Sequence, residues 1–115
     1  MSTETSPSSV HRRTLFKVPD RDNQQKLIEA YRVLMKDQVK DGKPYILRSV
    51  TGIAKDDPRS RNYTVISDMW FANLDDMKYY DTECPAHAAL KTAIKEYLAE
   101  PPLVICTDGP SGLVG

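Results

Sequence analysis

The sequence predicts one α+β domain with elements in the order β-α-β-β-α-β, on the basis of three observations. Apolar residues recur at helical spacing in residues 22–39 and again in residues 85–99. Two runs rich in aromatic and β-branched residues, 45–53 and 63–71, flank the polar loop "AKDDPRSRN". A further apolar run, "LVICT", follows the Pro-Pro pair at 101 and 102. Each element is supported by local signals.

The first strand is predicted over Val10–Val18, where a strand-like run stops at Pro19. The first helix is predicted to begin near Asp22, since Asp22 and Gln25 match the spacing of a capping box. It runs to about Val39 with inward-facing residues at helical spacing. These residues are Leu27, Ile28, Tyr31, Leu34, Met35 and Gln38.

The remaining elements follow in order along the chain. Tyr45–Ile53 and Tyr63–Phe71 are predicted to form a hairpin. Asn73 can cap a short helix that runs to about Tyr80. Pro85 suits the first position of a second main helix, ending near Ala99. With a last strand over Leu103–Thr107, the order is that of the ferredoxin-like arrangement.

A ferredoxin-like sheet carries its helices on one face and leaves the other face bare. The strand Tyr63–Phe71 has partly apolar residues on both faces, so both faces are expected to be covered. We therefore predict that a second copy covers the bare face, which gives a homodimer through the sheets.

The composition excludes several classes of function. The 115 residues include 16 basic and 16 acidic side chains, so the basic surplus that nucleic-acid binding needs is missing. No stretch resembles a secretory signal or a membrane span, which predicts a soluble cytoplasmic protein without a membrane partner. Residues 1–9 and 109–115 are predicted to be flexible tails around a domain of residues 10–108.

The cysteines and histidines do not form a metal motif. Cys84 and Cys106 lack CxxC spacing and are expected to be semi-buried, inert thiols. His11 opens the first strand and is expected at a strand edge as a hydrogen-bonded residue. His11 and His87 lie far apart without a spaced acidic partner, so no metal site is expected.

The segment "MKYYDTECPAHAAL", residues 77–90, holds the strongest candidate for chemistry. With Pro85 at the first helical position, His87 falls in the first turn, on one stripe with Leu90 and Ile94. The positive end of the helix and partial burial both favour a neutral imidazole, the state that a general base needs. The alternative is a structural core histidine that fixes the start of the helix.

The tyrosines of this segment are the candidate partners of His87. The phenol of Tyr80 could bind a substrate carbonyl or stabilise an enolate, and Tyr79 is adjacent. Alternatively, each tyrosine packs its ring at a helix end with its hydroxyl in water. Asp81 and Glu83 are expected in a solvated joint, where they cap backbone amides.

Three stretches carry a resemblance to a known family: "VHRRTLFKV", "NYTVISDMWFANLDDMKYYD" and "CPAHAALK". Together they resemble the stress-response A/B barrel, or Dabb, family of the dimeric α+β barrel proteins, and the composition resembles fungal members. The likeness covers Val10 to Asp108. It implies a dimer joined through the sheets and a small hydrophobic cavity between sheet and helices.

The resemblance also implies roles for single residues. Some members cyclise linear polyketides by an aldol reaction, using a histidine that matches His87 and a tyrosine six residues before it. Asp81 stands at that tyrosine position, and Tyr80 matches only if the joint has one extra residue. The family's strand-one histidine is displaced by one residue, at His11, which leaves Arg12 at the expected place, and a further cavity histidine falls on Val65.

The predicted function is binding of a small, mostly apolar carbonyl compound in the cavity, without a cofactor. His87 would be the base and Tyr80 its partner, in a lyase or polyketide-cyclase-like enzyme. The alternatives are a non-catalytic, very stable stress protein and, by analogy of fold alone, a cofactor-free or haem-dependent monooxygenase. The predicted substrate-binding residues are Phe16, Tyr31, Val65, Ser67, Tyr79 and Leu90.

Overall fold

A computed structural model describes residues 9–109 of the protein. The predicted tails fall largely outside this range, at residues 1–8 and 110–115. Two short 3₁₀ turns, Pro58–Ser60 and Lys95–Tyr97, accompany the main elements. The main elements are β1 (Val10–Phe16), α1 (Arg21–Asp37), β2 (Ile46–Ile53), β3 (Val65–Phe71), α2 (Leu74–Thr82), α3 (Pro85–Ile94) and β4 (Leu103–Asp108).

The four strands form one antiparallel sheet in the order β2-β3-β1-β4. This order confirms the predicted ferredoxin-like α+β fold. At the ends of the described range, the Ser9 hydroxyl donates to the Gly109 carbonyl at 3.1 Å. The Gly109 N–H donates to the Ser9 carbonyl at 2.9 Å. These two bonds extend the pairing of β1 with β4 by one residue on each strand, Ser9 before β1 and Gly109 after β4.

The ends of the helices differ from the predicted ends by one or a few residues. Asp20, not Asp22, caps α1, and its carboxylate accepts from the Asn23 N–H at 3.0 Å. Asn73 caps α2 as predicted, but α2 continues past Tyr80 to Thr82. Because Asp81 and Thr82 belong to α2, their side chains take helical directions, which are rotated by about 100° from one residue to the next.

β1 ends at Phe16, two residues before the predicted end at Val18. The reason is the Thr64 side chain, which replaces the regular strand pairing. Its hydroxyl accepts from the Val18 N–H and donates to the Val18 carbonyl, both at 2.9 Å. The chain therefore turns away from the sheet while its backbone groups stay hydrogen-bonded.

The helices cover one face of the sheet and enclose the core. Alternate residues of β1 and β3 point towards the helices and are buried. The core is made of Phe16, Val18, Leu27, Tyr31, Leu34, Tyr45, Ile46, Val65, Met69, Phe71, Tyr80, Cys84, Leu90 and Ile94.

Among residues 9–109, no helix has the length and apolar character needed to cross a membrane.

The other face of the sheet, which we call the open face, carries His11 in the middle of the sheet. β1 lies between β3 and β4, so the predicted position at a strand edge is wrong. The His11 ring stacks on Trp70 with centroids 4.4 Å apart, and its Nε2 lies 2.9 Å from an Asp68 oxygen. Around this polar centre the open face exposes Val50 and Ile105.

Candidate functional site

A cavity of about 360 Å³ lies on the helix side of β1 and β4, beneath α3. This volume is at the lower end of the range for ligand pockets, about 300–1,000 Å³. The wall is mostly apolar and includes a small group of polar side chains. The lining residues are Arg12, Thr14, Phe16, Tyr31, Asp81, His87, Leu90, Lys91, Ile94, Lys95, Leu98, Pro102 and Val104.

His87 lies in this wall, in the first turn of α3. Pro85 is the first residue of the helix, and Cys84 precedes it without a side-chain capping bond. The imidazole is buried, and its Nδ1 lies 2.7 Å from the backbone carbonyl of Tyr80. A carbonyl oxygen can only accept, so Nδ1 carries the proton and Nε2 has a free lone pair.

The pKa of His87 is lowered from 6.5 to about 4. Burial is the largest cause, and the positive charges of Arg12 and Lys91 act in the same direction. The hydrogen bond to the Tyr80 carbonyl and the charge of Asp81 partly oppose this effect. The imidazole is therefore neutral at pH 7, as a general base must be.

Tyr80 lies behind His87 and is not part of the cavity wall, in contrast to the role predicted for it. Its ring stacks on the imidazole with centroids 3.7 Å apart and an angle of 10° between the planes. Its hydroxyl is buried in the core without a hydrogen-bond partner. Burial raises the pKa of this phenol. Tyr80 thus packs against His87 and is not among the residues that line the cavity.

Three predicted substrate-binding residues, Tyr79, Val65 and Ser67, also lie away from the cavity. The Tyr79 hydroxyl donates to the Val39 carbonyl at 3.0 Å. Val65 and Ser67 are buried in the core, where the Ser67 hydroxyl accepts from Thr51 at 3.1 Å. Both residues face the helices, but β3 lies on one side of β1 and the cavity lies towards β4 on the other side.

Phe16, Tyr31 and Leu90 do line the cavity, together with His87. Tyr31 is the tyrosine of this wall, and its ring meets Phe16 edge-on at 6.2 Å. Burial raises the pKa of Tyr31, against smaller opposing effects of the Ser67 hydroxyl, the charge of Arg12 and the Tyr80 hydroxyl. Its phenol stays protonated at neutral pH and can donate a hydrogen bond.

Arg12 is a cavity residue that was absent from the predicted site. It lies on the helix side of β1, and only 6% of its surface is exposed. Its guanidinium donates to the Thr14 hydroxyl at 2.7 Å and to an Asp81 oxygen at 3.0 Å. Its Nε is buried without an acceptor. The strand alternation and the match to a family histidine were the signals that could have identified it.

Asp81 lies in the cavity wall instead of serving as a solvated capping residue in a joint. Its carboxylate forms an ion pair with Arg12, and 40% of its side chain is exposed. By the resemblance, Asp81 stands at the place of the family's tyrosine and Arg12 at the place of its strand-one histidine. The two family positions therefore hold an ion pair in this chain.

The thiols and possible metal ligands lie outside this arrangement. Cys84 is buried in the core, and Cys106 is exposed, with its sulfur 3.5 Å from that of Met77. The prediction of two semi-buried thiols is thus wrong for both. Within residues 9–109, no three His, Cys, Asp or Glu side chains are grouped so that they could hold a metal ion.

Comparison with known structures supports the fold. A dimeric ferredoxin-like protein of unknown function from Thermobifida fusca superposes with a TM-score of 0.69 at 18% identity, over 87% of this chain and 90% of its own. Hydroxynitrile lyase from Passiflora edulis superposes with a TM-score of 0.73 at 11% identity, over 95% and 100%. At these identities the likeness shows the fold alone.

Comparison of sequences gives a nearer relative and a family. A Fusaristatin A biosynthesis cluster protein from Gibberella zeae is 46% identical over 87 residues, which are 76% of this chain and 63% of the relative. The model of the stress responsive A/B barrel domain matches residues 10–109. The chain therefore belongs to the stress responsive A/B barrel domain family.

Proposed function

We propose that the cavity binds a small carbonyl compound with a largely apolar body, and that His87 removes a proton next to its carbonyl group. The observation that carries this proposal is the hydrogen bond from Nδ1 of His87 to the Tyr80 carbonyl. It fixes the tautomer in which Nε2 is basic, and the low pKa of about 4 keeps the ring neutral. A free Nε2 lone pair on a neutral ring allows the imidazole to accept a proton.

In the proposed step, a C–H bond next to the carbonyl breaks and its proton moves to Nε2 of His87. The electron pair of that bond moves to the carbonyl oxygen and gives an enolate. We assign stabilisation of this oxygen to the hydroxyl of Tyr31, a neutral phenol whose side chain lines the same wall. Aldol-type cyclisation and isomerisation both begin with this step, so either reaction is compatible with the site.

The names of two similar proteins agree with an enzyme of small-molecule metabolism. The relative from Gibberella zeae is named for a biosynthesis cluster, and the protein from Passiflora edulis is named as a lyase. We propose that this chain likewise acts on an intermediate of a biosynthetic route. The family membership supports the domain fold, and the cavity residues support the proposed reaction.

We further propose that the protein is a homodimer joined through the open face. Several structural neighbours are described as dimeric ferredoxin-like proteins. The open face of this chain exposes large apolar side chains, among them Val50, Leu103 and Ile105. A second copy would remove these side chains from water.

Deuterium exchange tests the proposed proton transfer without knowledge of the natural substrate. The ketone 4-phenyl-2-butanone is incubated with the protein in D₂O, and loss of the proton signals next to the carbonyl is followed by NMR. The native protein is expected to accelerate exchange, and His87→Gln to reduce the acceleration at least 100-fold. His11→Gln is the matched control. It alters the other histidine of the chain, which lies on the open face and not in the cavity, and it should keep the exchange rate.

The second candidate is a non-catalytic, stable protein in which His87 is structural. The same hydrogen bond favours it, since it ties the end of α2 to the start of α3. In that case His87→Gln would lower the free energy of unfolding by at least about 1 kcal/mol, and no variant would change deuterium exchange. Exchange at the buffer rate with the native protein would contradict the enzymatic proposal.

A further inference from the structure

The cavity places a buried arginine beside the proposed base, which bears on the chemical class of the substrate. We propose that the substrate carries a carboxylate as well as a carbonyl group, and that Arg12 binds this carboxylate. The inference rests on the proposed function for the choice of cavity and deepens it by naming the substrate class. Arg12 would then be a specificity-determining residue.

The hydrogen bonds of Arg12 leave its guanidinium incompletely satisfied. A guanidinium has five N–H donors in a planar fork. Two of these are used, one by the Thr14 hydroxyl and one by Asp81, and Nε has no acceptor although it is buried. Buried polar groups are normally paired, so Arg12 lines the cavity with a guanidinium whose hydrogen-bonding capacity is only partly used.

The ion pair with Asp81 does not fill this need. Asp81 offers one oxygen to one nitrogen at 3.0 Å, and 40% of its side chain is exposed to water. Arginine binds a carboxylate most strongly in a bidentate manner, with two parallel N–H···O bonds. A ligand carboxylate could therefore displace the Asp81 oxygen and gain a second hydrogen bond from the same guanidinium.

The charges around the cavity favour an anion. The wall holds three cationic side chains, Arg12, Lys91 and Lys95, against the single carboxylate of Asp81. Neither lysine forms an ion pair with another of residues 9–109. Because the whole chain has a net charge of zero, this excess of positive charge is a local property of the cavity.

The rest of the wall defines the remainder of the ligand. Phe16, Leu90, Ile94, Leu98 and Val104 give an apolar surface around the charged group. An amphipathic acid fits both parts, with its carboxylate on Arg12 and its hydrocarbon body against these side chains. A neutral ketone would leave the buried guanidinium without its additional partner.

Binding of a matched acid and amide tests the inference. The probes are 4-phenylbutanoate and 4-phenylbutanamide, which have nearly the same shape and differ in charge, titrated by NMR at low salt. The native protein is expected to bind the acid at least tenfold more tightly than the amide. Arg12→Met should reduce this preference below twofold. Arg13→Met is the matched control, because Arg13 is the next residue of β1 but lies on the open face, where it pairs with Asp68.

Equal affinity of the native protein for the two probes, or binding of neither, would overturn the inference without any variant. A preference for the acid that persists in Arg12→Met, with the fold verified by circular dichroism, would also overturn it. The outcome is separable from the proposed proton transfer, since His87→Gln should lose deuterium exchange but keep the preference for the acid. A native protein that accelerates exchange but shows no preference for the acid contradicts only the role of Arg12, and one that prefers the acid but does not accelerate exchange contradicts only the proposed proton transfer.

Discussion

The imidazole of His87 lies almost flat against the phenol ring of Tyr80, and its Nδ1 donates to the backbone carbonyl of the same residue. One residue thus fixes both the orientation and the tautomer of the histidine. The joint between α2 and α3 makes this possible, because it brings residues seven positions apart into contact.

Protein stability should depend on the protonation of His87. Its pKa is 6.5 for an ordinary histidine and about 4 in the fold, so the unfolded chain binds an additional proton between these pH values. Stability should therefore fall as the pH is lowered from 7 to 4, by on the order of 3 kcal/mol from this group. Urea unfolding at several pH values measures the fall.

His87→Gln is the reference for this measurement, since carboxylates also titrate below about pH 5. The difference between native protein and variant isolates the contribution of His87. Equal slopes of stability against pH in the two proteins would contradict the buried, neutral imidazole.

The two tyrosines near the site should respond differently to loss of their hydroxyl groups. Tyr80→Phe removes a buried hydroxyl that has no partner, so stability should stay the same or rise by up to about 1 kcal/mol, without effect on deuterium exchange. Tyr31→Phe should slow exchange roughly 100-fold, because it removes the proposed donor to the enolate. Slow exchange in Tyr80→Phe with normal exchange in Tyr31→Phe would reverse these assignments.

Asp81→Asn should remove the carboxylate that competes with a ligand carboxylate for Arg12. The buried guanidinium loses its carboxylate partner, and the free energy of unfolding should fall by on the order of 1 to 3 kcal/mol. The affinity for 4-phenylbutanoate should rise several-fold, so this acid should increase the melting temperature of the variant more than that of the native protein. Weaker binding of the acid would show that Asp81 assists the anion instead of competing with it.

A charge on the open face should separate the proposed dimer. Ile105 on β4 is 48% exposed in the protomer, and Ile105→Asp would place a carboxylate in the interface. Light scattering should then give the mass of a monomer. Val33→Asp on α1 changes a residue that is 51% exposed away from the sheet, and it should leave the dimer intact. A dimeric Ile105→Asp would exclude this face.

The sequence identified the fold because its signals are local. The hairpin, the Asn73 cap and Pro85 at the start of α3 each depend on neighbouring residues, and each is found where it was predicted. The inward direction of His87 follows from helical spacing once Pro85 sets the first residue. Its neutral state follows from burial at a helix start, so the candidate base was accessible to sequence reasoning.

The partners of His87 depended on where α2 ends and on distant contacts. Because α2 continues to Thr82, Tyr80 points into the core while Asp81, rotated by about 100°, reaches the cavity. Arg12 and Asp81 are 69 positions apart, and only the folded chain brings them together. The sequence by itself determined the order of elements and the candidate base, since both follow from local spacing. The tertiary structure decided which charges meet in the cavity, because that depends on the packing of β1 against the joint between α2 and α3.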